Sequence, residues 1–481
     1  MSQRTTAESS LVRAVGVWGL TASIVNCVVG GGIFRIPSHP DVAGKLGAAA
    51  PIAYVACAIA LGLVVLCMAE AGSRVSLTGG PYMYVETAFG PYAGFLVGTL
   101  VWLIGATAVP AISMVFADNV GRLVPALDTH AGKVATITVT YVVVAWINIR
   151  GIRQGSGLSV VTAVVKLAPL LLLLVAGVFS VRGENLHVAA APAGRDVLRA
   201  AMVLVFVFAG FESALVPSGE VKDSSRTVPR ALFLAMGGVT LLFIALQLVA
   251  QGILGAKLLG TPTPLSDAAG VALGGWGAQL FAVAVVLSTF GFMCGMALAM
   301  PRALYAFARD GYVPRALAAV HPRHHTPHVA IIVQVALTVA LAATNAFERL
   351  VVLANLSALL AYLGCAAAAL QLRRRDVRTS GEPFRVPGGA IVPVLAMLTV
   401  IGLLSSITLR RSRGPAGRAR PRQPRPRRPG RAHRRPDRRR HRDPGSLSPP
   451  IFHQVLRTEQ SRTSWVALWA TCVAHSPVTS S

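Results

Sequence analysis

"VVGGGIFRIP" occupies residues 28–37, inside the first apolar stretch of the chain. Three consecutive glycines suit the middle of a helix badly, since each costs about 1 kcal/mol relative to alanine. The sequence on either side is apolar, from about residue 14 to 36, so the stretch reads as one long helix interrupted in its middle. In lipid, unsatisfied backbone is tolerated only where it lines a cavity or is buried in protein. A break at Gly30–Gly32 starts a second half-helix near Ile33. Its free N–H groups and positive dipole end suit a carboxylate. The carbonyls ending the first half-helix face the same gap and suit a cation such as an amine. A kink or a packing contact would use the same glycines, and both readings stay open on this stretch alone.

The rest of the chain puts that helix in a membrane. Of its 481 residues, 54% are hydrophobic and 13% charged. Apolar runs near 20 residues recur, each long enough to cross about 30 Å of hydrocarbon. They are continuous rather than alternating, which specifies helices and not a barrel. Spans are expected at about 14–36, 49–71, 91–118, 132–149, 157–181, 197–219, 230–252, 275–299, 327–344, 350–371 and 389–409. That makes eleven. No short apolar leader with a small-residue cleavage site precedes them, so no signal peptide is expected. With the N-terminus in the cytoplasm, inside segments hold seventeen Lys and Arg and outside segments nine, which favours that orientation. Gly90, Gly94 and Gly98, and again Gly291 and Gly295, space small residues for close helix approach.

The net charge of +26 invites a nucleic-acid reading, but its distribution argues otherwise. Residues 410–442 carry 16 of the 45 basic residues, all Arg. The expected organisation is a short N-terminal tail (1–13), a transmembrane domain (14–409) and an Arg/Pro-rich tail (410–481). That tail is either a disordered basic segment or the product of a shifted reading frame that has lost a twelfth span. Coding DNA distinguishes the two. Cys27, Cys57, Cys67, Cys294 and Cys365 fall in apolar spans without a CxxC pair and read as small packing residues.

A second interruption supports the first. "VLVFVFAGFESALVPSGEVKD" (203–223) contains Ala209-Gly210, then Glu212, then Pro217. First and sixth spans correspond if the fold is two five-helix inverted repeats. Paired interruptions of that kind point to the midplane site of a transporter.

Several stretches together resemble the amino acid–polyamine–organocation superfamily. They are "GGGIFRIP" (30–37), "GGPYMYVETAFGPYAGF" (79–95), "NIRGIRQ" (148–154), "FVFAGFESALVPSGEVKDSSRTVPRAL" (206–232), "RALYAFARDGYVP" (302–314) and "HPRHHTP" (321–327). The resemblance runs in order from about 14 to 409. "DSSRTVPRA" departs from the family's usual Asn-Pro, and the twelfth helix is missing, outside the ten-helix core. The resemblance implies an all-α inverted-repeat carrier, with helices 1 and 6 broken, that moves amino acids by proton coupling or exchange. It implies a substrate carboxylate on the amides of Gly30, Gly31 and Gly32, next to Ile33. It implies an amino group near the carbonyls around Phe206, Phe208, Ala209 and Gly210, with Phe206 as an aromatic gate.

Two ionisable residues sit within spans, where charge is costly and marks function. Lys166 lies in "VVTAVVKLAPLLLLLVAG" (160–177). By the resemblance it stands where sodium-coupled relatives hold sodium, which argues for protons as the coupling ion; a structural tie between helices five and one is the other reading. Glu212 follows the sixth-helix break and is either a proton-responsive group or a buried structural acid. Glu70, Glu86 and Asp118 fall at span ends, where solvation and ordinary structural roles are expected. His321, His324, His325 and His328 share a loop with no Cys or acid among them, so no metal is expected. No P-loop, nucleophile elbow or kinase signature occurs. The expected protein is a multi-pass permease of the cell membrane, without cofactor or nucleic-acid partner and not an enzyme. Its partners are an amino acid, protons and the bilayer. An amine or polyamine carrier, and a transport-deficient product of a damaged gene, are the alternatives.

Overall fold

The computed structural model describes residues 15–150, 158–378 and 381–411, apart from Thr78, Ala189, Pro217, Gly219, Glu220 and His325. The expected N-terminal tail and the basic tail beyond Arg411 lie outside the described residues, as do Pro217 and His325. The helices are α1 (Val17–Val28), α2 (Gly32–Arg35), α3 (Ala50–Arg74), α4 (Pro81–Phe89), α5 (Pro91–Leu123), α6 (His130–Ile149) and α7 (Leu158–Gly177). They continue as α8 (Gly194–Phe208), α9 (Phe211–Ala214), α10 (Ser224–Leu254), α11 (Pro264–Arg309), α12 (His328–Ala343), α13 (Phe347–Arg374) and α14 (Ile391–Arg411). No strand occurs among the described residues. An apolar chain in lipid must satisfy its backbone within each segment, and the helix does so.

Seven helices are long and apolar enough to cross a membrane, or eight if the bent pair formed by Val17–Val28 and Gly32–Gly44 counts as one span. This is a multi-pass membrane protein. Three further apolar helices are shorter: Lys166–Ser180, His328–Ala343 and Ile391–Ser405. The expected eighth span is the inner part of α11, which runs for 46 residues with a kink at Gly274. The expected loop before the third span holds α4, joined to α5 by a corner at Gly90. There φ is +97°, a conformation open to glycine, and Pro91 starts the next helix, where its missing N–H costs nothing.

Close approach uses only part of the expected glycine pattern. A Cβ on Gly94 would lie 2.7 Å from Glu86 Cβ, and one on Gly98 3.1 Å from Tyr82, so these two receive α4. Among the described residues nothing comes within 4 Å of a Cβ on Gly291 or Gly295, so no packing notch is seen there.

Glu70 also departs from expectation. It lies at the end of α3 yet is fully buried. Its carboxylate accepts from Arg74 Nε at 3.1 Å, from Arg373 Nε at 2.8 Å and from the Val386 amide at 3.2 Å. The α13 arginine and the strap before α14 close over this end of α3, so solvent does not reach it. At another end of the bundle Asp118 pairs with Arg35 and with Lys133 Nζ at 2.9 Å.

Candidate functional site

The first helix stops at Val28 and resumes at Gly32, with a 41° bend across the break. The Gly30 amide donates to Val28 O at 2.7 Å, tightening the last turn. The sixth stops at Phe208 and resumes at Phe211. Gly210 there has φ +119°. Only glycine takes that angle without strain.

The two breaks lie against each other. A Cβ on Gly210 would sit 2.7 Å from Cys27 O, and a Cβ on Gly32 would sit 3.1 Å from Val207 Cα. The end of α1 thus faces the break after α8, and the start of α2 rests on the last turn of α8. The chain just before α1 is held to the segment after α9, where the Lys222 amide donates to Val15 O at 2.9 Å.

One cavity of about 30 Å³ takes its walls from both breaks, including Gly30, Gly31, Gly32, Phe206, Ala209, Gly210 and Glu212. A water needs roughly 10–15 Å³, so the space admits water. Residues that the sequence did not single out fill it. Ile112 of α5 presses on Gly31, whose Cβ would lie 2.7 Å from its two γ carbons. Phe292 of α11 would lie 3.5 Å from a Cβ on Gly30. Cys27, read from sequence as a packing residue, also faces the cavity.

Three of the sequence-named residues lie outside its lining. Ile33 is fully buried in the core. Phe208 turns the other way, its ring 6.4 Å from Tyr54 and 5.5 Å from Phe243. Lys166 sits behind the first break, buried, with Nζ donating to Asn26 O at 3.1 Å and to Val29 O at 3.5 Å. These carbonyls belong to the unwinding end of α1. A cation there satisfies groups that the break leaves without helical partners.

Glu212 is buried beside the second break. Its two carboxylate oxygens lie 3.1 and 3.0 Å from the Gly210 amide, and Tyr362 OH of α13 donates to it at 2.9 Å. A carboxylate here caps an amide that the break has orphaned. Tyr362 is a partner the sequence did not reveal, since no local signal links it to a residue 150 positions earlier.

Above the cavity Phe206 forms an edge-to-face pair with Phe347, centroids 6.2 Å apart. The Arg35 guanidinium lies 5.3 Å over the Phe347 ring while also pairing with Asp118. The lining ring is thereby connected to an ion pair between α2 and α5. Among the described residues no group of three or more His, Cys, Asp or Glu side chains could hold a metal ion.

The sequence profile of the amino acid permease family matches residues 15–410. The branched-chain amino acid permease BcaP of Bacillus subtilis (strain 168) is 26% identical over 84% of this chain and 90% of its own length. An uncharacterized transporter of Mycobacterium tuberculosis is 32% identical over 76% of this chain and 82% of its own length. The serine/threonine exchanger SteT of Bacillus subtilis (strain 168) is 26% identical over 83% of this chain and 92% of its own length.

Proposed function

The chain belongs to the amino acid permease family, and from that premise we propose that it is a secondary active transporter that moves amino acids across the cell membrane. The observation that carries this reading is one cavity walled by both helix breaks. A zwitterion needs donors for its carboxylate and acceptors for its ammonium in one small space. A helix start and a helix end, side by side, offer both without a charged side chain.

In this proposal the carboxylate rests on the amides of Gly31 and Gly32, and on that of Gly30 once it releases Val28 O. The ammonium faces the carbonyls that end α1 and α8, close to Ala209 and Gly210. Phe206 covers the bound substrate, while Ile33 and Phe208 hold the frame from behind. Phe206 and Ile112 border the cavity, so movement of either side chain, or of the helices bearing them, changes the room for substrate. Opening to one face at a time is what a carrier requires, and a continuous pore is what it must avoid.

We read the seven long helices, the bent pair and the three shorter apolar helices as eleven spans, within a transporter domain of residues 14–409. The first ten form two inverted five-helix repeats, with α1–α2 and α8–α9 as corresponding broken members. The excess of basic residues in alternate loops supports a cytoplasmic N-terminus. Protons are the proposed coupling ion. Lys166 occupies the carbonyl cluster that a metal cation would otherwise need, and Glu212 is the second proton-responsive group. Symport and exchange are both compatible with this arrangement.

The test is uptake of labelled amino acids by the purified full-length protein in proteoliposomes, with and without a pH gradient. The expected result is accumulation of at least one amino acid that rises with an inward proton gradient and is indifferent to sodium. Neither accumulation nor exchange of any amino acid by folded protein would overturn the proposal.

A further inference from the structure

The substrate's α-carbon groups face the two breaks, and the remaining wall must receive its side chain. That wall has a simple composition. Ile104, Ala108 and Ile112 lie four residues apart along α5 and form a single stripe towards the cavity. Met296, four residues after Phe292, faces it from α11, and Ala354 of α13 completes it. All are apolar.

Charge is handled elsewhere. Among the described residues no Lys, Arg or His lines the cavity, so an acidic side chain would meet no counter-charge there. Lys166 is committed to the carbonyls of Asn26 and Val29, behind the break. Glu212 is the acid of the lining, and its oxygens already accept from the Gly210 amide and the Tyr362 hydroxyl. A cationic side chain would have to draw Glu212 away from the break that it caps. Transferring an unpaired charge into such a wall costs several kcal/mol.

Size follows from the small residues. Ala108 and Ala354 are the two alanines of this wall, and Met296, a flexible thioether, lines the same cavity. Names of relatives do not choose among side chains, because a branched-chain permease and a serine/threonine exchanger are equally identical to this chain.

We infer that the site selects neutral amino acids with aliphatic side chains, seated on the Ile104–Ala108–Ile112 stripe, and that Ala108 sets the room available to them. The inference rests on the carrier reading proposed above. Each additional buried CH₂ tightens binding by about fourfold. Leucine, with three more carbons than alanine, should bind on the order of 50-fold more tightly.

The experiment is competition in proteoliposomes containing the full-length protein. Unlabelled alanine, valine, leucine, isoleucine, serine, lysine and glutamate are set against whichever labelled amino acid is taken up. Leucine, isoleucine and valine should compete best, with lysine and glutamate at least about 100-fold weaker. Ala108→Leu should weaken leucine by about 10-fold or more, and weaken leucine more than alanine. If that variant does not insert, Ala354→Val narrows the same wall and carries the same expectation. Stronger competition by serine, lysine or glutamate than by leucine overturns the specificity and leaves the carrier function standing. Equal weakening of alanine and leucine by the narrowing variants also overturns it. Failure of the folded wild type to bind any amino acid overturns the carrier reading itself.

Discussion

Gly210→Ala should damage the site more than any neighbouring glycine substitution, and the structure gives the size. At φ +119° an L-residue is strained, at a cost of about 1–3 kcal/mol. The new Cβ also lands 2.7 Å from Cys27 O and 3.1 Å from Cys27 C. Both are backbone atoms near the end of α1, where the Val29 amide holds Val25 O at 2.8 Å. No rotamer change relieves the overlap, so the helices must separate, at a further cost of about 1–3 kcal/mol. The sum is about 2–6 kcal/mol, charged against the state in which the two breaks touch. If half of that appears as a shift away from the binding-competent state, affinity falls roughly 5- to 150-fold. Gly238→Ala is the control, because among the described residues nothing lies within 4 Å of its Cβ on α10. Substrate affinity by equilibrium binding, and thermal unfolding in detergent, should separate the two variants. If Gly210→Ala matches Gly238→Ala in both, the breaks do not depend on their close approach and the geometric reasoning fails.

Gly31→Ala meets a side chain instead of backbone, with Ile112 γ carbons at 2.7 Å. It should lose binding by about 1–3 kcal/mol and recover most of it when combined with Ile112→Ala; absence of rescue would show that Ile112 is not the obstacle. Lys166→Ala removes the donor to Asn26 O and Val29 O. It should still bind substrate yet lose proton-driven accumulation, with sodium giving no recovery, whereas wild-type accumulation across the same pH gradient would reduce Lys166 to a structural tie. Glu70→Ala removes the buried carboxylate that Arg74 and Arg373 share, leaving Arg74 with Asp376 at 3.6 Å. The expected loss is about 3–5 kcal/mol, read as a lower unfolding temperature, and an unchanged temperature refutes the role assigned to this cluster.

Much of this architecture was already legible in the sequence. Continuous apolar runs specify helices in lipid, because no other element satisfies its own backbone there. Two interruptions, Gly30–Gly32 and Ala209-Gly210, announce themselves through residues that a helix tolerates poorly. Lys166 and Glu212 stand out because charge inside a span is costly. Which way the apolar residues point is another matter. Phe206 and Phe208 are two residues apart, which turns them about 200° around one helix. One lines the cavity and the other packs on Tyr54 and Phe243. Gly94 receives a helix while Gly291 meets nothing among the described residues, although both belong to similar small-residue patterns. Glu70 looks solvated at a span end and is sealed by Arg373, some three hundred residues further along the chain. Helices that are apolar all round carry no polar face to orient them. The partners of Gly31, Phe206 and Glu212 were therefore set by how the helices pack, and only the tertiary structure brings Ile112, Phe347 and Tyr362 to them.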